Sequence, residues 1–282
     1  MPPAAASNSP KSRPQSSAVE PGAGGPSVSS NANERDDALR LLACLDLTSL
    51  NDDDTVERIG GLCDRALDNR FGVRPAAVCV YPQFVTQAVG RLSGSGVAVA
   101  TVVNFPYGGT HWDSIVADTA KALSDGADEI DLVIPFRAVM TGDLFLVRDL
   151  VDAVAKMCHT HQRPAHLKTI LETGALEDDF FITRASRLAV EQGADFLKTS
   201  TGKVPVGATP EAATSMLNVI VENRTTTGRL VGLKVSGGIR TVADASVYLH
   251  LVDERLAPLR AEPSNFRVGA SSLYDDIVRV LS

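Results

Sequence analysis

The sequence predicts a single (β/α)8 barrel, a closed parallel sheet in which a helix follows each strand. Two observations support this fold class. From residue 39 onward, short apolar runs alternate with longer segments of helical pattern, and eight such pairs can be counted. The apolar runs are rich in branched aliphatic residues, as is typical of parallel strands buried on both faces. Eight repeats favour a closed barrel, and an open doubly wound sheet is the alternative.

The predicted strands are short and end at turn-forming or polar residues. This arrangement leaves room for one helix between successive strands, as a barrel requires. The strands are predicted at residues 41–47, 76–81, 97–103, 129–134, 166–171, 195–200, 230–235 and 266–270.

Capping signals mark several predicted helices. Thr209 is a common N-cap residue type, and Pro210 suits the first turn of a helix. The acidic run NDDD lies at the start of the helix predicted at 54–67, where carboxylates stabilise a helix N-terminus. Gly193 marks the end of the helix predicted at 178–192. Helices are predicted at 54–67, 113–124 and 178–192, from Pro210 onward, and at 241–256 and 273–281.

The N-terminal segment differs in composition from the rest of the chain. Its residues are mostly proline, serine, alanine and glycine, without a hydrophobic period. Such a segment buries too little apolar surface to offset the entropy of ordering. We therefore predict a disordered tail at 1–33 and a barrel domain at 34–282. An organellar transit peptide is the alternative, although prolines disfavour the amphipathic helix it needs.

Composition limits the classes of partner. Hydrophobic residues make up 44% of the 282 residues, charged residues 22%, and the net charge is -7. No lysine- or arginine-rich run stands out, so a nucleic-acid partner is not expected. No apolar run approaches the ~20 residues that cross a membrane, and no secretory signal is seen at the N-terminus. We expect a cytoplasmic protein whose partners are small molecules.

The cysteines and histidines predict no metal site. The four cysteines show neither C-x-x-C nor zinc-ligand spacing, which favours buried thiols in a reducing compartment. The five histidines show no catalytic-triad or metal spacing. The cysteines are Cys44, Cys63, Cys79 and Cys158.

Polar residues near the carboxyl ends of the predicted strands are the candidates for an active site, because barrel enzymes carry their sites there. Buried charges need either a partner or a function. Internal ion pairs, with Asp46 and Asp131 neutralising Lys168 and Lys234, are therefore an alternative to catalysis. The candidates are Asp46, Thr48, Cys79, Asn104, Asp131, Lys168, Glu172, Lys198, Lys234, Ser271 and Ser272.

Lys198 is the strongest candidate for chemistry. Strand alternation places it on one face with Phe196, among apolar groups that solvate its charge poorly. A neutral lysine amine can attack a carbonyl and form a Schiff base. Lys234 lies on the next strand, and two ammonium groups ~4 Å apart repel by roughly 4 kcal/mol, or about three pKa units. We expect this repulsion to bring one of the two lysines near neutrality.

A phosphate site is predicted from the loops after the last two strands. Gly237 and Gly238 lead into a helix, so backbone amides can approach an anion closely. Ser271 and Ser272 follow the last strand, and barrels of this type often bind phosphate between these two loops. Lys203, in the sequence STGK, could add a cation, but the P-loop spacing is absent.

The assembled motifs resemble those of the deoxyribose-phosphate aldolase family, Schiff-base aldolases on a (β/α)8 barrel. The resemblance covers the chain from about residue 39 to the C-terminus. The motifs are LDLTSLNDDDT, NFPYG, ADEIDLVIPFRA, LKTILETG, GADFLKTSTGK, GLKVSGGIRT and RVGASSL.

The resemblance implies reversible cleavage of 2-deoxy-D-ribose 5-phosphate to D-glyceraldehyde 3-phosphate and acetaldehyde. It implies that Lys198 forms the imine, that Lys234 perturbs it and that Asp131 takes part in proton transfer. No cofactor is required, and a homodimer is suggested. Substrate contacts are expected from Asp46, Thr48, Cys79, Lys168, Thr201, Lys203, Gly237, Gly238, Ser271 and Ser272.

Two features depart from relatives in this family. Some relatives read KPAGG where this chain reads KVSGG, a change that keeps both glycines. Some extend to a C-terminal tyrosine that assists proton exchange, whereas this sequence ends at Ser282. We therefore expect another proton donor. The alternatives in function are a sugar-phosphate isomerase or synthase that forms no imine, and a phosphosugar-binding protein without activity.

Overall fold

The structure, a computed structural model, describes residues 28–282, with side chains from residue 33 onward. Eight parallel strands form a closed barrel in sequence order, and the last strand pairs with the first. The predicted fold class is confirmed. The strands are β1 Leu45–Thr48, β2 Ala77–Val80, β3 Ala98–Val103, β4 Glu129–Val133, β5 His166–Ile170, β6 Phe196–Lys198, β7 Gly232–Ser236 and β8 Phe266–Ala270.

Helices surround the barrel. Thr209 and Thr241 cap the helices that follow them through side-chain hydrogen bonds, and Pro210 begins its helix as predicted. The helices are α1 Val28–Ala43, α2 Val56–Leu67, α3 Val85–Leu92, α4 Trp112–Ser124, α5 Phe136–Thr141, α6 Leu144–Thr160, α7 Thr173–Leu176, α8 Asp179–Glu191, α9 Pro210–Thr227, α10 Val242–Arg255 and α11 Leu273–Leu281.

The first predicted strand is partly wrong. Leu41 and Leu42 were assigned to it because they continue an apolar run, but they lie in α1 and are buried. The strand itself begins at Leu45. Helix α1 was not predicted, and it begins at Val28, within the segment expected to be a tail. The rest of that segment, residues 1–27, lies outside the described residues.

The two faces of the strands have different roles. Outward residues such as Ile130 and Leu132 of β4 belong to the main apolar core shared with the helices. Inside the barrel, β2 and β3 contribute small apolar residues, including Cys79 and Ala100. The remaining strands place buried charged side chains in the interior. The barrel interior is therefore apolar on one side and ionic on the other.

Within residues 28–282 no helix is both long enough and apolar enough to span a membrane. The four cysteines are buried and unpaired with one another, as expected. The same part of the chain brings together no group of three or more histidine, cysteine, aspartate or glutamate residues that could hold a metal ion.

Candidate active site

Strand register brings the predicted catalytic residues together. Lys198 on β6 pairs in register with Lys234 on β7, and Asp131 on β4 pairs with Lys168 on β5. All four side chains are almost completely buried. Because the barrel is closed and narrow, side chains that point inward from these strands meet near its axis.

Asp131 is the centre of this arrangement. Its Oδ2 accepts hydrogen bonds from Lys198 Nζ at 2.7 Å and from Lys234 Nζ at 2.8 Å. Its Oδ1 accepts one from Lys168 Nζ at 2.9 Å. A carboxylate that accepts three charge-assisted hydrogen bonds is strongly stabilised in its ionised form. Burial opposes that charge, but the three lysines outweigh it and hold the Asp131 pKa well below its usual range.

Two more carboxylates and an arginine complete the ionic network. Asp46 Oδ2 accepts from Lys234 Nζ at 2.5 Å, and its Oδ1 accepts from Arg267 Nη1 at 2.7 Å. Glu129 Oε1 accepts from Arg267 Nη2 at 2.8 Å, and Lys168 donates to the other Glu129 oxygen. Neither Glu129 nor Arg267 was predicted as a site residue, because each lies at the start of its apolar run.

The charges of this connected network do not balance when every group is ionised. Four cations, Lys168, Lys198, Lys234 and Arg267, face three carboxylates. Among the cations, Lys198 alone pairs with a single carboxylate within the network, whereas each of the others contacts at least two. Loss of one proton would balance the charges, and Lys198 has the weakest hold on its proton.

The pKa directions agree with this geometry. Burial, the largest cause, lowers the pKa of Lys198; Asp131 opposes the change and Lys234 adds to it. Burial also disfavours the charge of Lys234, but Asp131 and Asp46 outweigh it and raise the Lys234 pKa. Of the two lysines, Lys198 is therefore the one whose pKa is lowered. Both expected causes, burial and repulsion by the neighbouring lysine, lower this pKa, and burial is the larger.

Lys198 also reaches the cavity at the carboxyl end of the barrel. This cavity has a volume of about 240 Å³ and opens to solvent between the loops after β1, β6, β7 and β8. It is large enough for a small phosphorylated sugar. The side chains and loops around it belong to Thr48, Leu50, Asn51, Lys198, Thr201, Gly202, Lys203, Ser236, Gly237, Gly238, Ile239, Arg240, Gly269, Ala270, Ser271 and Ser272.

The glycine pair after β7 forms one wall of the cavity. Gly237 and Gly238 have φ of 86° and 84°, a conformation that favours glycine. A Cβ on Gly237 would lie 2.9 Å from the Cα of Gly207, so this loop packs directly against the loop after β6. A Cβ on Gly238 would meet nothing within 4 Å. The wall therefore has no room for a side chain at Gly237, whereas a side chain at Gly238 would point into open space.

Two helices begin beside this wall. Helix α10 starts at Val242 and α11 at Leu273, and the positive ends of both dipoles favour an anion. Ser272 precedes α11 and makes no side-chain capping hydrogen bond. Arg240 lies in the same wall and adds a cation that was not predicted from the sequence. These groups favour a negative charge at this position, and we refer to them as the anion-binding wall.

The loop after β6 is held by a buried carboxyl group. Thr201 Oγ1 donates to Glu172 Oε2 at 2.5 Å and accepts from the backbone N–H of Lys203 at 3.0 Å. Glu172 has a φ of 57°, and burial raises its pKa while Thr201 opposes the rise. Lys203 Nζ donates to the carbonyl of Leu50 at 2.7 Å and so joins this loop to the one after β1.

The predicted substrate residues fall into two groups. Seven line the cavity: Thr48, Thr201, Lys203, Gly237, Gly238, Ser271 and Ser272. Asp46, Cys79 and Lys168 do not; they are buried beneath it. Asp46 and Lys168 belong to the ionic network, as the ion-pair alternative expected, and burial raises the pKa of the Cys79 thiol. Asn104 stabilises its own loop through hydrogen bonds to the carbonyls of Gly109 and Val133.

A buried lysine with a lowered pKa, at the carboxyl end of a (β/α)8 barrel, is compatible with an aldolase-type enzyme. The family profile described as "DeoC/LacD family aldolase" matches residues 40–272. A deoxyribose-phosphate aldolase of Agrobacterium fabrum (strain C58) is 48% identical over 249 residues, which cover 88% of this chain and 93% of the relative. The chain belongs to the DeoC/LacD aldolase family.

Solved structures agree with this assignment. A protein from Toxoplasma gondii ME49, assigned as a deoxyribose-phosphate aldolase, superimposes in its apo form with a TM-score of 0.78 at 26% identity, over 89% of this chain and 98% of that one. One from Coccidioides immitis with the same assignment gives a TM-score of 0.71 at 29% identity, over 86% of both chains. The resemblance inferred from the motifs is confirmed.

Proposed function

We propose that this enzyme cleaves 2-deoxy-D-ribose 5-phosphate reversibly to D-glyceraldehyde 3-phosphate and acetaldehyde through a Schiff base on Lys198. The observation that carries the proposal is the position of Lys198 between two environments. Its ammonium donates a hydrogen bond to Asp131 in the buried network, and the same residue lines the cavity beside the anion-binding wall. The name of the Agrobacterium fabrum relative supports the choice of substrate.

The first chemical step is formation of the imine. Asp131, 2.7 Å from Lys198 Nζ, is placed to accept a proton from the ammonium and leave a neutral amine. The amine adds to the C1 carbonyl of the open-chain sugar, and the resulting carbinolamine loses water to give a protonated imine. Asp131 can return the accepted proton to the departing hydroxyl group, which leaves as water, while Lys234 keeps its own proton.

The second step breaks a carbon–carbon bond. A base takes the proton of the 3-hydroxyl group, the C2–C3 bond breaks, and its electron pair moves into the imine to form an enamine. C3 becomes the aldehyde of glyceraldehyde 3-phosphate. Protonation of the enamine at C2 and addition of water at C1 then release acetaldehyde and the free lysine. The water lost in the first step is returned here, so the reaction needs no oxidant or cofactor.

The cavity provides distinct contacts for the rest of the substrate. The 5-phosphate is placed against Gly237, Gly238, Ser271 and Ser272, with Arg240 as a counter-ion. Thr201 and Lys203 line the same cavity, and we assign them to the sugar hydroxyls. Water around the phosphate end is tolerable, because the chemistry takes place at the buried end of the cavity.

Borohydride trapping tests the proposal. The protein is incubated with deoxyribose 5-phosphate, reduced with borohydride and analysed by intact mass spectrometry and peptide mapping. We expect one covalent adduct per chain on the peptide that contains Lys198. A protein that turns over substrate without any adduct would instead be an isomerase or synthase in which Lys198 neutralises charge. Binding without turnover would indicate a binding protein.

The assembly and location of the enzyme are part of the same proposal. The family resemblance supports a homodimer, which light scattering at micromolar concentration would detect as twice the chain mass. The four buried, unpaired cysteines are compatible with the reducing cytoplasm. Imaging of the tagged full-length chain in its native cell tests the location.

A further inference from the structure

We propose that Arg267 and Glu129 set the pH at which Lys198 becomes a free amine, through the charge balance of the buried network. They would then be positioning residues for the reaction, acting at a distance from the substrate. The inference rests on the proposed function only in its consequence for catalysis, because the protonation of Lys198 can be measured without substrate.

The two residues are buried near the amino-terminal end of the barrel interior, away from the substrate cavity. Arg267 is 7% exposed and Glu129 2% exposed. Both border a separate depression that also includes Pro75 and Pro263, on the side opposite the active-site loops. The Arg267 guanidinium also stacks over the ring of Phe196, 5.5 Å from its centroid. Neither residue lines the cavity that contains Lys198.

Unbroken contacts connect this pair to Lys198. Arg267 binds Asp46, Asp46 binds Lys234, and Lys234 shares Asp131 with Lys198. A second route runs from Glu129 through Lys168 to Asp131. Every step is an ion pair between groups that are at least nine-tenths buried. Salt in the solvent therefore screens these interactions little.

The groups that face Lys198 come from several elements. On the ionic side, Asp131 binds Lys198, and Lys234 shares the same carboxylate oxygen. Asp46, Lys168, Glu129 and Arg267 belong to the same network but do not bind Lys198 directly. On the other side, Cys79 of β2 is a thiol whose pKa burial raises, and β3 is apolar. Glu172, after β5, is the remaining carboxyl group; it bonds to Thr201 and lies outside the connected network. Arg267 and Glu129 contact neither Lys198 nor Asp131, so their charge can be changed without altering the contacts of Lys198 or of its carboxylate partner.

The expected effects have opposite signs. Arg267→Met removes a cation, so the Lys198 ammonium is disfavoured less and its pKa rises. Glu129→Gln removes an anion, so the pKa falls. Neighbouring strands are ~4.8 Å apart, which places β8 about 10 Å from β6, and a unit charge at that distance shifts a pKa by about one unit. The double variant keeps the original excess of one cation and should restore the original pKa.

The variants leave no buried charge without a partner. Without Arg267, Asp46 keeps Lys234 and Glu129 keeps Lys168. Without the charge of Glu129, Lys168 keeps Asp131 and Arg267 keeps Asp46. Glutamine has nearly the shape of glutamate. Arg267→Lys is a further variant that changes the shape but keeps the charge, so we expect it to leave the Lys198 pKa near its original value.

Competitive labelling measures the relevant pKa. The free full-length protein is treated with trace acetic anhydride from pH 6 to 11, and acetylation of Lys198 is quantified by peptide mass spectrometry against exposed Lys156. The midpoint for Lys198 should move up by about one unit in Arg267→Met, down by about one unit in Glu129→Gln, and return in the double variant. Arg187→Met and Glu222→Gln, which change a surface ion pair, are the matched controls and should move nothing.

Specific results would overturn the inference. Midpoints that agree within about 0.3 units in all folded variants, or that move in the same direction in both single variants, would give the pair a structural role only. A shift in Arg267→Lys as large as that in Arg267→Met would show that shape rather than charge matters. Failure of the proposed function is a separate result: native protein would then show the labelling midpoint but no borohydride adduct on Lys198.

Discussion

Lys198 and Lys234 donate hydrogen bonds to the same oxygen atom, Oδ2 of Asp131, at 2.7 and 2.8 Å. They are neighbours in register on adjacent strands, yet their second contacts differ. Lys234 has a further carboxylate partner in Asp46, whereas Lys198 reaches the cavity. The two carboxylates Asp131 and Asp46 raise the pKa of Lys234, whereas burial lowers the pKa of Lys198.

Leucine substitutions should separate the roles of these two lysines. Lys198→Leu should abolish turnover and borohydride trapping, because no other amine occupies its position. Lys234→Leu removes a nearby cation, which raises the Lys198 pKa and reduces its neutral fraction at pH 7. We expect a loss of about 100-fold at pH 7 that partly recovers toward pH 9, for a shift of about two units. Activity against pH and peptide mapping of the trapped adduct check both variants.

Reversal of the two roles would be visible in the same experiment. An adduct that maps to Lys234, and that still forms in Lys198→Leu, would show that the nucleophile is misassigned. The two variants also control for each other, since each removes one buried positive charge from the same carboxylate oxygen. Thermal unfolding of both confirms that loss of activity is not loss of the fold.

Phosphate recognition can be tested at Gly238. A Cβ there would face open space beside the anion-binding wall, so an aspartate would put a negative charge where the phosphate is expected. Gly238→Asp should raise KM for deoxyribose 5-phosphate at least tenfold more than KM for unphosphorylated deoxyribose. The factor of ten corresponds to about 1.4 kcal/mol of lost phosphate binding. Steady-state kinetics on both sugars measure it.

Gly228 provides the matched control for this variant. It ends α9 with a φ of 75°, and a Cβ there would also meet nothing within 4 Å. Gly228→Asp therefore imposes similar backbone strain without lining the cavity. It should leave the ratio of the two KM values unchanged. Equal losses on both sugars in Gly238→Asp would place the phosphate site elsewhere.

Close packing of Gly232 against Phe196 beneath the site allows a prediction about stability. A Cβ on Gly232 would lie 2.1 Å from the ring of Phe196, a buried side chain two residues before Lys198. Gly232→Ala should reduce the free energy of unfolding by about 1–3 kcal/mol through overpacking. Gly90→Ala in α3 meets nothing and should be neutral or slightly stabilising. Urea unfolding of both variants tests the difference, and equal midpoints would contradict it.

The sequence predicts the barrel well because apolar strand segments and helix caps are local signals. Lys198, Lys234 and Asp131 could be found the same way, since each is a charged residue in the middle or later part of an apolar run. Glu129 and Arg267 lie earlier in theirs, and only closure of the barrel brings them together. The hydrogen bond from Lys203 to the carbonyl of Leu50 joins residues far apart in the chain, so no local sequence pattern predicts it.

Helix α1 shows the same limit at the N-terminal end of the barrel. Its leucines read as part of the first strand because both are apolar and next to it. Tertiary contacts made by other residues of α1 distinguish this segment from a strand. Arg35 Nη1 donates to the carbonyl of Leu281 at 2.7 Å, and Arg40 pairs with Asp253 at 2.7 Å. These partners lie more than 200 residues away in the sequence.

Two N-terminal truncations test where the functional domain begins. Removal of residues 1–27, whose composition offers little to pack against a barrel, should leave kcat/KM within about threefold of the full-length value, or ~0.65 kcal/mol in the barrier. Removal of residues 1–43 also deletes α1 and the buried side chains of Leu41 and Leu42. At 1.5–3 kcal/mol per buried leucine, it should cost about 3–6 kcal/mol of unfolding free energy. Activity assays and urea unfolding of both proteins measure these effects. A hundredfold loss of activity in a folded 28–282 chain would show that residues 1–27 take part in the chemistry.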